Sequence, residues 1–377
     1  MAPPAKPSLD LLRQLSDTAV LTALIERGPS TRAELASSTG LSKPTVTESM
    51  RRLESAGAVV DTGARSTGRG RAGLYYDLSP AAGVALVVSI APDGIVAEAI
   101  DVRGSVLSRE VADVSRPTRP GAVSRAVTAV ARRALAAAGA DRARLGVVSV
   151  ADPVDRHTGR LVQLPDAPFL VGALDPARVL DPLVDGKVLV DNDVNWAALA
   201  ESASAAGELD DFVYLYLDEG LGGATVADGV VLRGAGGLAG EVAHVVVPGP
   251  RGQAMAFTEV FEQLGLHHRD TAAIDVDALL RAVSGSGRGH APKLAVIGGA
   301  VAAVVSAAVA LSDPAAVVLG GRWGTAPEVV SAVTEHVQSS RRPVPIRTAV
   351  VADAALVGTR ADAIARLRAL VTSPPPP

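Results

Sequence analysis

Apolar residues recur at helical spacing early in the chain. Val20, Leu21, Leu24 and Ile25 mark one face, and the run stops at Gly28-Pro29. Ser30 or Thr31 can cap the next helix, with Glu34 placed for a capping box. That helix carries Leu35 and Ala36 and ends at Gly40; Ser42 caps a third, whose first turn tolerates Pro44 and whose buried stripe is Val46, Met50 and Leu53. A strand over 58–61, a Gly/Arg-rich turn over 62–73 and a strand over 74–78 follow. From Gly83 onward the period changes. Buried-type strands are predicted over 84–90, 95–101 and 106–111, then a helix over 120–138 and a strand over 145–150. The second half repeats this with strands over 212–217, 222–226 and 230–233, a helix over 293–312 and a strand over 316–319. Two meander-plus-helix halves predict an α/β body with two lobes and a cleft between them.

The spacing in the first part carries chemistry. Ala36 is small where two helices cross, Gly40 suits a turn with positive φ, and Val46 packs the second helix on the first. Those offsets are the helix-turn-helix pattern, and the hairpin after it reads as a wing. The residues expected at double-stranded operator DNA are Thr31, Arg32, Ser42, Lys43, Pro44, Thr45, Thr47 and Arg51, with Arg65, Arg69 and Arg71 of the wing reaching phosphates or the minor groove. The formal net charge of the chain is −4, yet residues 1–80 carry +2 and the remainder −6. A basic module on a mildly acidic body fits a small DNA-contacting head, although charges of this kind also occur in solvated loops.

Composition narrows the class further. At 377 residues the chain exceeds one ordinary domain. The expected boundaries are an extension over 1–15, a winged helix-turn-helix over 16–80, a body over 81–371 divided into lobes near 190, and a disordered tail over 372–377. Aromatics are only 3%, so the cores must be built from small aliphatics. No membrane span is predicted, and the Pro/Ala-rich start lacks the apolar centre of a signal peptide, which points to the cytoplasm. There is no cysteine, so disulfides and thiolate metal sites are excluded.

Four segments in order resemble the ROK family (repressors, open reading frames, kinases) in its transcription-regulator branch. They are Thr31-Arg32-Ala33-Glu34-Leu35-Ala36 with Thr39-Gly40-Leu41-Ser42-Lys43-Pro44-Thr45-Val46; Asp191-Asn192-Asp193-Val194-Asn195; the segment from Gly234 through Gly240-Glu241 to His244; and Asp313-Pro314 with Leu319-Gly320-Gly321. The resemblance implies a winged helix-turn-helix before a two-lobed actin-like ATPase fold of the sugar-kinase type. It also implies a homodimer and a sugar or sugar-phosphate ligand.

In kinases of that family the residue matching Asp193 takes the proton of the sugar hydroxyl that attacks ATP. Asn192, Glu241, His244 and Glu259 match sugar-binding positions, the last after a shortened segment, and Asp166 stands where an asparagine is usual. Asp191 and Asn192 equally suit the end of a strand and the cap of the next helix. His244 matches a ligand of the family's structural zinc, which this cysteine-free chain cannot complete. No metal and no cofactor are therefore expected. The phosphate loop of such kinases also has no counterpart, because Ala91-Pro92-Asp93-Gly94 replaces it, and Asp218 and Glu219 place carboxylates where phosphate would sit. The expectation is a sugar-responsive regulator, a repressor, without catalysis. The alternatives are a sugar kinase carrying a DNA-binding head and a ligand-independent regulator on a degenerate scaffold.

Overall fold

The computed structural model describes residues 9–65, 73–114, 119–164, 169, 174–205, 209–269, 271–284 and 290–373. The expected disordered tail lies outside them from residue 374 onward, as do residues 1–8 of the extension. Helix α1 (Leu9–Arg27) begins inside the expected extension and not at residue 16. After β1 (Ser30–Thr31), α2 (Arg32–Thr39) is closed by the capping box, with the Thr31 amide donating to Glu34 at 2.7 Å and the Glu34 amide to the Thr31 hydroxyl at 3.3 Å. Gly40 ends it in the left-handed region at φ 69°, which a side chain would strain. Ser42 caps α3 (Lys43–Ser55). The wing is β2 (Val59–Arg65) and β3 (Leu74–Leu78), and β1 adds to β3 as a third strand. β2 runs four residues beyond its expected end because pairing with β3 resumes at Arg65 after an irregularity.

The first lobe holds β4 (Ala85–Ala91), β5 (Gly94–Ile100), β6 (Val106–Ala112), α4 (Pro120–Ala137), β7 (Leu145–Val150), α5 (Pro176–Leu180) and β8 (Val188–Asn192), in sheet order β6-β5-β4-β7-β8. Helix α6 (Asp193–Ser204) leads out of it. The second lobe holds β9 (Phe212–Leu217), β10 (Leu221–Ala227), β11 (Val230–Val231), β12 (Val246–Pro248), β13 (Ala254–Ala256), α7 (Phe257–Gln263), α8 (Val276–Val283), α9 (His290–Ser312), β14 (Ala316–Gly320), α10 (Pro327–Gln338) and β15 (Ile346–Thr348). Its sheet order, β11-β10-β9-β14-β15, reproduces that of the first lobe, with antiparallel hairpins on one side and parallel strands on the other. Equivalent strands therefore end at the same place in both lobes, which is where a cleft forms. By length and composition α9 could cross a membrane. Its Ile297, Ala300, Val301, Val304 and Val305 are instead core of the second lobe, and Gly298 lets it close on Ala332 of α10.

The last helix, α11 (Ala354–Thr372), crosses back from the second lobe to pack on α6, β4 and β7. Gly358 makes this possible, since a Cβ there would meet the Trp196 carbonyl oxygen at 2.0 Å. α11 also reaches α1 of the head. One apolar cluster accordingly contains Leu24, Val46 and Met50 of the head together with Val87, Val147, Trp196 and Leu367 of the body. Polar contacts line the same seam. Arg103 donates to the Leu24 carbonyl at 3.2 Å and pairs with Asp77, and Arg368 donates to the Val102 carbonyl at 3.0 Å.

Candidate ligand cleft and DNA-reading face

A cavity of about 460 Å³ opens where the strands of the two lobes end. Asn192 and Asp193 stand at its edge because β8 stops there and α6 starts. The Asn192 side chain accepts from the Val194 amide at 2.9 Å and donates to the Asp152 carbonyl at 3.2 Å. Capping and cleft placement thus coexist in one residue. Asp191 lies behind it, accepting from Asn195 at 2.7 Å and from Arg233 at 2.7 Å, which fixes the strand-to-helix turn. Asp193 lines the cavity, and burial, then its neighbours Asp152 and Glu241, pushes its carboxyl up to about 7.

The loop from 234 to 244 brings in Glu241 and His244. They do not share a helical face: Glu241 precedes a single 3₁₀ turn, Val242–His244, and both reach the cavity from that turn. Gly240 lets the loop sit directly on β10, where the Gly223 amide donates to its carbonyl at 2.8 Å. Glu259 departs from expectation. It is exposed, receives the Ala256 amide at 3.1 Å as the cap of α7, and is not among the residues lining the cavity. Asp166 lies outside the described residues, although Leu164 and Phe169 on either side line the cavity.

Three lining residues were not expected as site residues. Asp152 follows β7 just as Asn192 ends β8, a signal available in the sequence as a polar residue after a buried run. Tyr216 faces the cavity from β9, and burial, with Asp218, Asp193 and Asp93 nearby, holds its hydroxyl protonated as a donor. Arg322, after β14, changes the electrostatics most. It donates to Asp218 through Nε at 2.9 Å and a terminal nitrogen at 2.7 Å, and lies 3.4 Å from Glu219. The expected bare carboxylates of Asp218 and Glu219 are therefore corrected to an ion-paired cluster, because the Arg322 guanidinium is bonded to Asp218 and lies beside Glu219, and all three line the cavity.

The residues that would cradle a nucleotide phosphate do not fit it. Pro92-Asp93 forms a two-residue turn between β4 and β5, with Ala91 paired to Gly94, and Pro92 has no amide proton to offer. Val194 packs against Gly222, where a Cβ would meet it at 2.7 Å, and the Gly223 amide already donates to the Gly240 carbonyl. A structural zinc does not fit either. The chain has no thiolate, and β12 and β13 form a plain hairpin after His244.

On the head, Ser42, Lys43, Pro44, Thr47 and Arg51 are exposed along the outer face of α3, with Thr45 half-buried beside them. Arg51 is paired with Glu48 at 2.7 Å on the surface. Thr31 and Arg32 are engaged within the head instead. Thr31 is the buried cap of α2, and Arg32 lies over the Tyr76 ring at 4.8 Å and bonds Glu54 at 3.2 Å. Arg65 is exposed at the end of β2, while Arg69 and Arg71 lie outside the described residues.

Comparison with known proteins agrees with both parts. Residues 86–264 match the ROK family model, and residues 13–60 match a winged helix-turn-helix DNA-binding model. The chain is 29% identical over 189 residues to the bifunctional enzyme NanE/NanK of Brucella suis, covering 48% of this chain and 35% of that protein. It is 24% identical over 241 residues to the xylose repressor of Caldicellulosiruptor bescii, covering 63% of this chain and 60% of the repressor. The chain thus spans about a third to three fifths of the length of these curated relatives. A crystal structure described as a ROK family transcriptional regulator, homologous to the MLC protein of E. coli, superposes with a TM-score of 0.62 at 18% identity, over 96% of this chain and 99% of the other.

Proposed function

Because the chain joins a ROK family domain to a winged helix-turn-helix, we propose that it is a cytoplasmic, sequence-specific DNA-binding repressor whose kinase-like body senses a sugar without phosphorylating it. The observation that carries this reading is the position of α11. One helix packs on α6, whose first residues border the cleft, and on α1, which supports the DNA-reading helix. A ligand that binds one arrangement of the lobes better than another shifts that packing, and the head with it. The partner is double-stranded operator DNA, bound by a homodimer on two half-sites. Ser42, Lys43, Pro44, Thr45, Thr47 and Arg51 face it, and the wing supplies Arg65, Arg69 and Arg71. In the cleft, the carboxyl groups of Asp152, Asp193 and Glu241 accept hydrogen bonds from sugar hydroxyls, while Asn192, His244 and Tyr216 can donate.

A kinase reading has one observation in its favour, since Asp193 keeps the position and the raised pKa of a general base. The Pro92 turn and the Gly223 amide already bonded to Gly240 weigh against it. The deciding experiment is duplex selection from a random pool, then gel-shift titration of the selected operator with and without sugars, alongside an ATP-dependent phosphorylation assay. We expect a specific operator whose affinity changes with sugar, and no turnover. Turnover abolished by Asp193→Asn, or failure to enrich any duplex, would overturn the reading.

A further inference from the structure

We propose that Asp218 and Glu219 set the class of ligand: by holding Arg322 they make the cleft accept unphosphorylated sugars and reject sugar phosphates. This rests on the ligand-sensing role proposed above. It goes further by naming residues that choose between two ligand chemistries the cleft's shape alone would admit.

The inference starts from a charge imbalance. Among the described residues lining the cavity, Asp93, Asp152, Asp193, Asp218, Glu219 and Glu241 carry carboxyl groups, and Arg322 is the single guanidinium or ammonium. A phosphate group needs that cation, but the cation is already engaged. Its Nε lies 2.9 and 3.2 Å from the two Asp218 oxygens, a terminal nitrogen 2.7 Å from one of them, and its main-chain amide donates to the other at 2.8 Å. The arrangement is built in rather than adventitious. Asp218 is only 6% exposed, and its carbonyl accepts the indole N–H of the fully buried Trp323 at 2.9 Å.

A phosphomonoester near pH 7 carries a charge approaching two. To use the cavity's one guanidinium it must compete with the Asp218 and Glu219 carboxylates for Arg322, and the other carboxyl groups lining the cavity add to the repulsion. A hydroxyl group has the opposite balance. Ionised carboxylates are acceptors only, and each sugar hydroxyl brings the donor they lack, without adding charge. The crowding of Asp193 by Asp152 and Glu241 has the same origin, and a dianion would worsen it.

The test is calorimetric titration of the full chain with matched pairs: glucose and glucose 6-phosphate, N-acetylmannosamine and its 6-phosphate, xylose and its 5-phosphate. We expect the unphosphorylated member of any pair that binds to be at least about tenfold tighter. Asp218→Asn and Glu219→Gln, each nearly isosteric and checked for native circular dichroism, should each narrow that ratio at least about threefold. High salt should narrow it in the unaltered chain. A phosphorylated sugar that binds as tightly as its parent, or a ratio unmoved in both variants, would overturn the selectivity while leaving a sensing cleft in place. Absence of binding by every member of every pair would remove the sensing cleft itself and this inference with it.

Discussion

The hydroxyl of Thr18 donates to the main-chain carbonyl of Thr372 at 3.0 Å, tying the first helix of the head to the last turn of the body's final helix. Arg103 reinforces the same seam from the other side, through Asp77 and the Leu24 carbonyl. Arg103→Ala removes both contacts and leaves Asp77 partly buried without its ion-pair partner. The expected cost is about 1–3 kcal/mol. Hydrogen exchange should show it as faster opening of α1 and β3, with amides of α9 unchanged. Uniform loss of protection across both lobes would mean that the seam is not a local contact.

Gly358→Ala sets two effects against each other. Alanine favours a helix interior by about 1 kcal/mol. The added methyl, however, would lie 2.0 Å from the Trp196 carbonyl oxygen, main chain that no rotamer change can move. Overpacking of this kind costs about 1–3 kcal/mol or more. We expect net destabilisation in urea unfolding and a weaker effect of sugar on operator binding. A variant as stable as the parent would show that α6 and α11 separate freely.

Asp193 gives the chain a pH dependence of definite sign. Its carboxyl titrates near 7 in the fold against 3.8 as a free group, so between those values the native chain holds a proton that the unfolded chain has released. Stability from this group is full in acid and declines as pH rises through about 7. Asp193→Asn abolishes the decline. The gain in melting temperature over the parent should therefore be larger at pH 8 than at pH 5, and an equal gain at both would place the titration elsewhere.

Lys43 is exposed in the first turn of α3, while Arg51 two turns later is paired to Glu48. Lys43→Ala should weaken operator and non-specific binding alike and reduce the salt slope by about one. Arg51→Ala should do less, because its charge is already partly offset. Equal effects would indicate that the Glu48 pair opens on DNA. Arg69→Ala with Arg71→Ala tests the wing in the same titration, with a flatter salt dependence expected.

Much of this was legible because it is local. The capping box at Thr31 and Glu34, the turn at Gly40 and the cap at Ser42 are decided within a few residues, so the head could be read in order. Asn192, Asp193, Glu241 and His244, matched through local motifs, line one cavity. What could not be read depends on separation in sequence. Arg322 meets Asp218 across 104 positions, and nothing near either residue announces the pair. Glu259 looked like a site residue by alignment after a shortened loop, but its own helix needed a cap. The route of α11 back to the first lobe was also hidden, because a helix that is apolar on several faces does not say which neighbour it will choose.

That route has a practical consequence for engineering. The simplest exchange of parts would cut the chain once, after the wing. Here such a cut would leave the transplanted head facing a foreign final helix, without its partner for Thr18 and without the apolar surface around Leu367. A working hybrid needs the head and α11 to come from the same parent, with the intervening lobes as the replaceable insert.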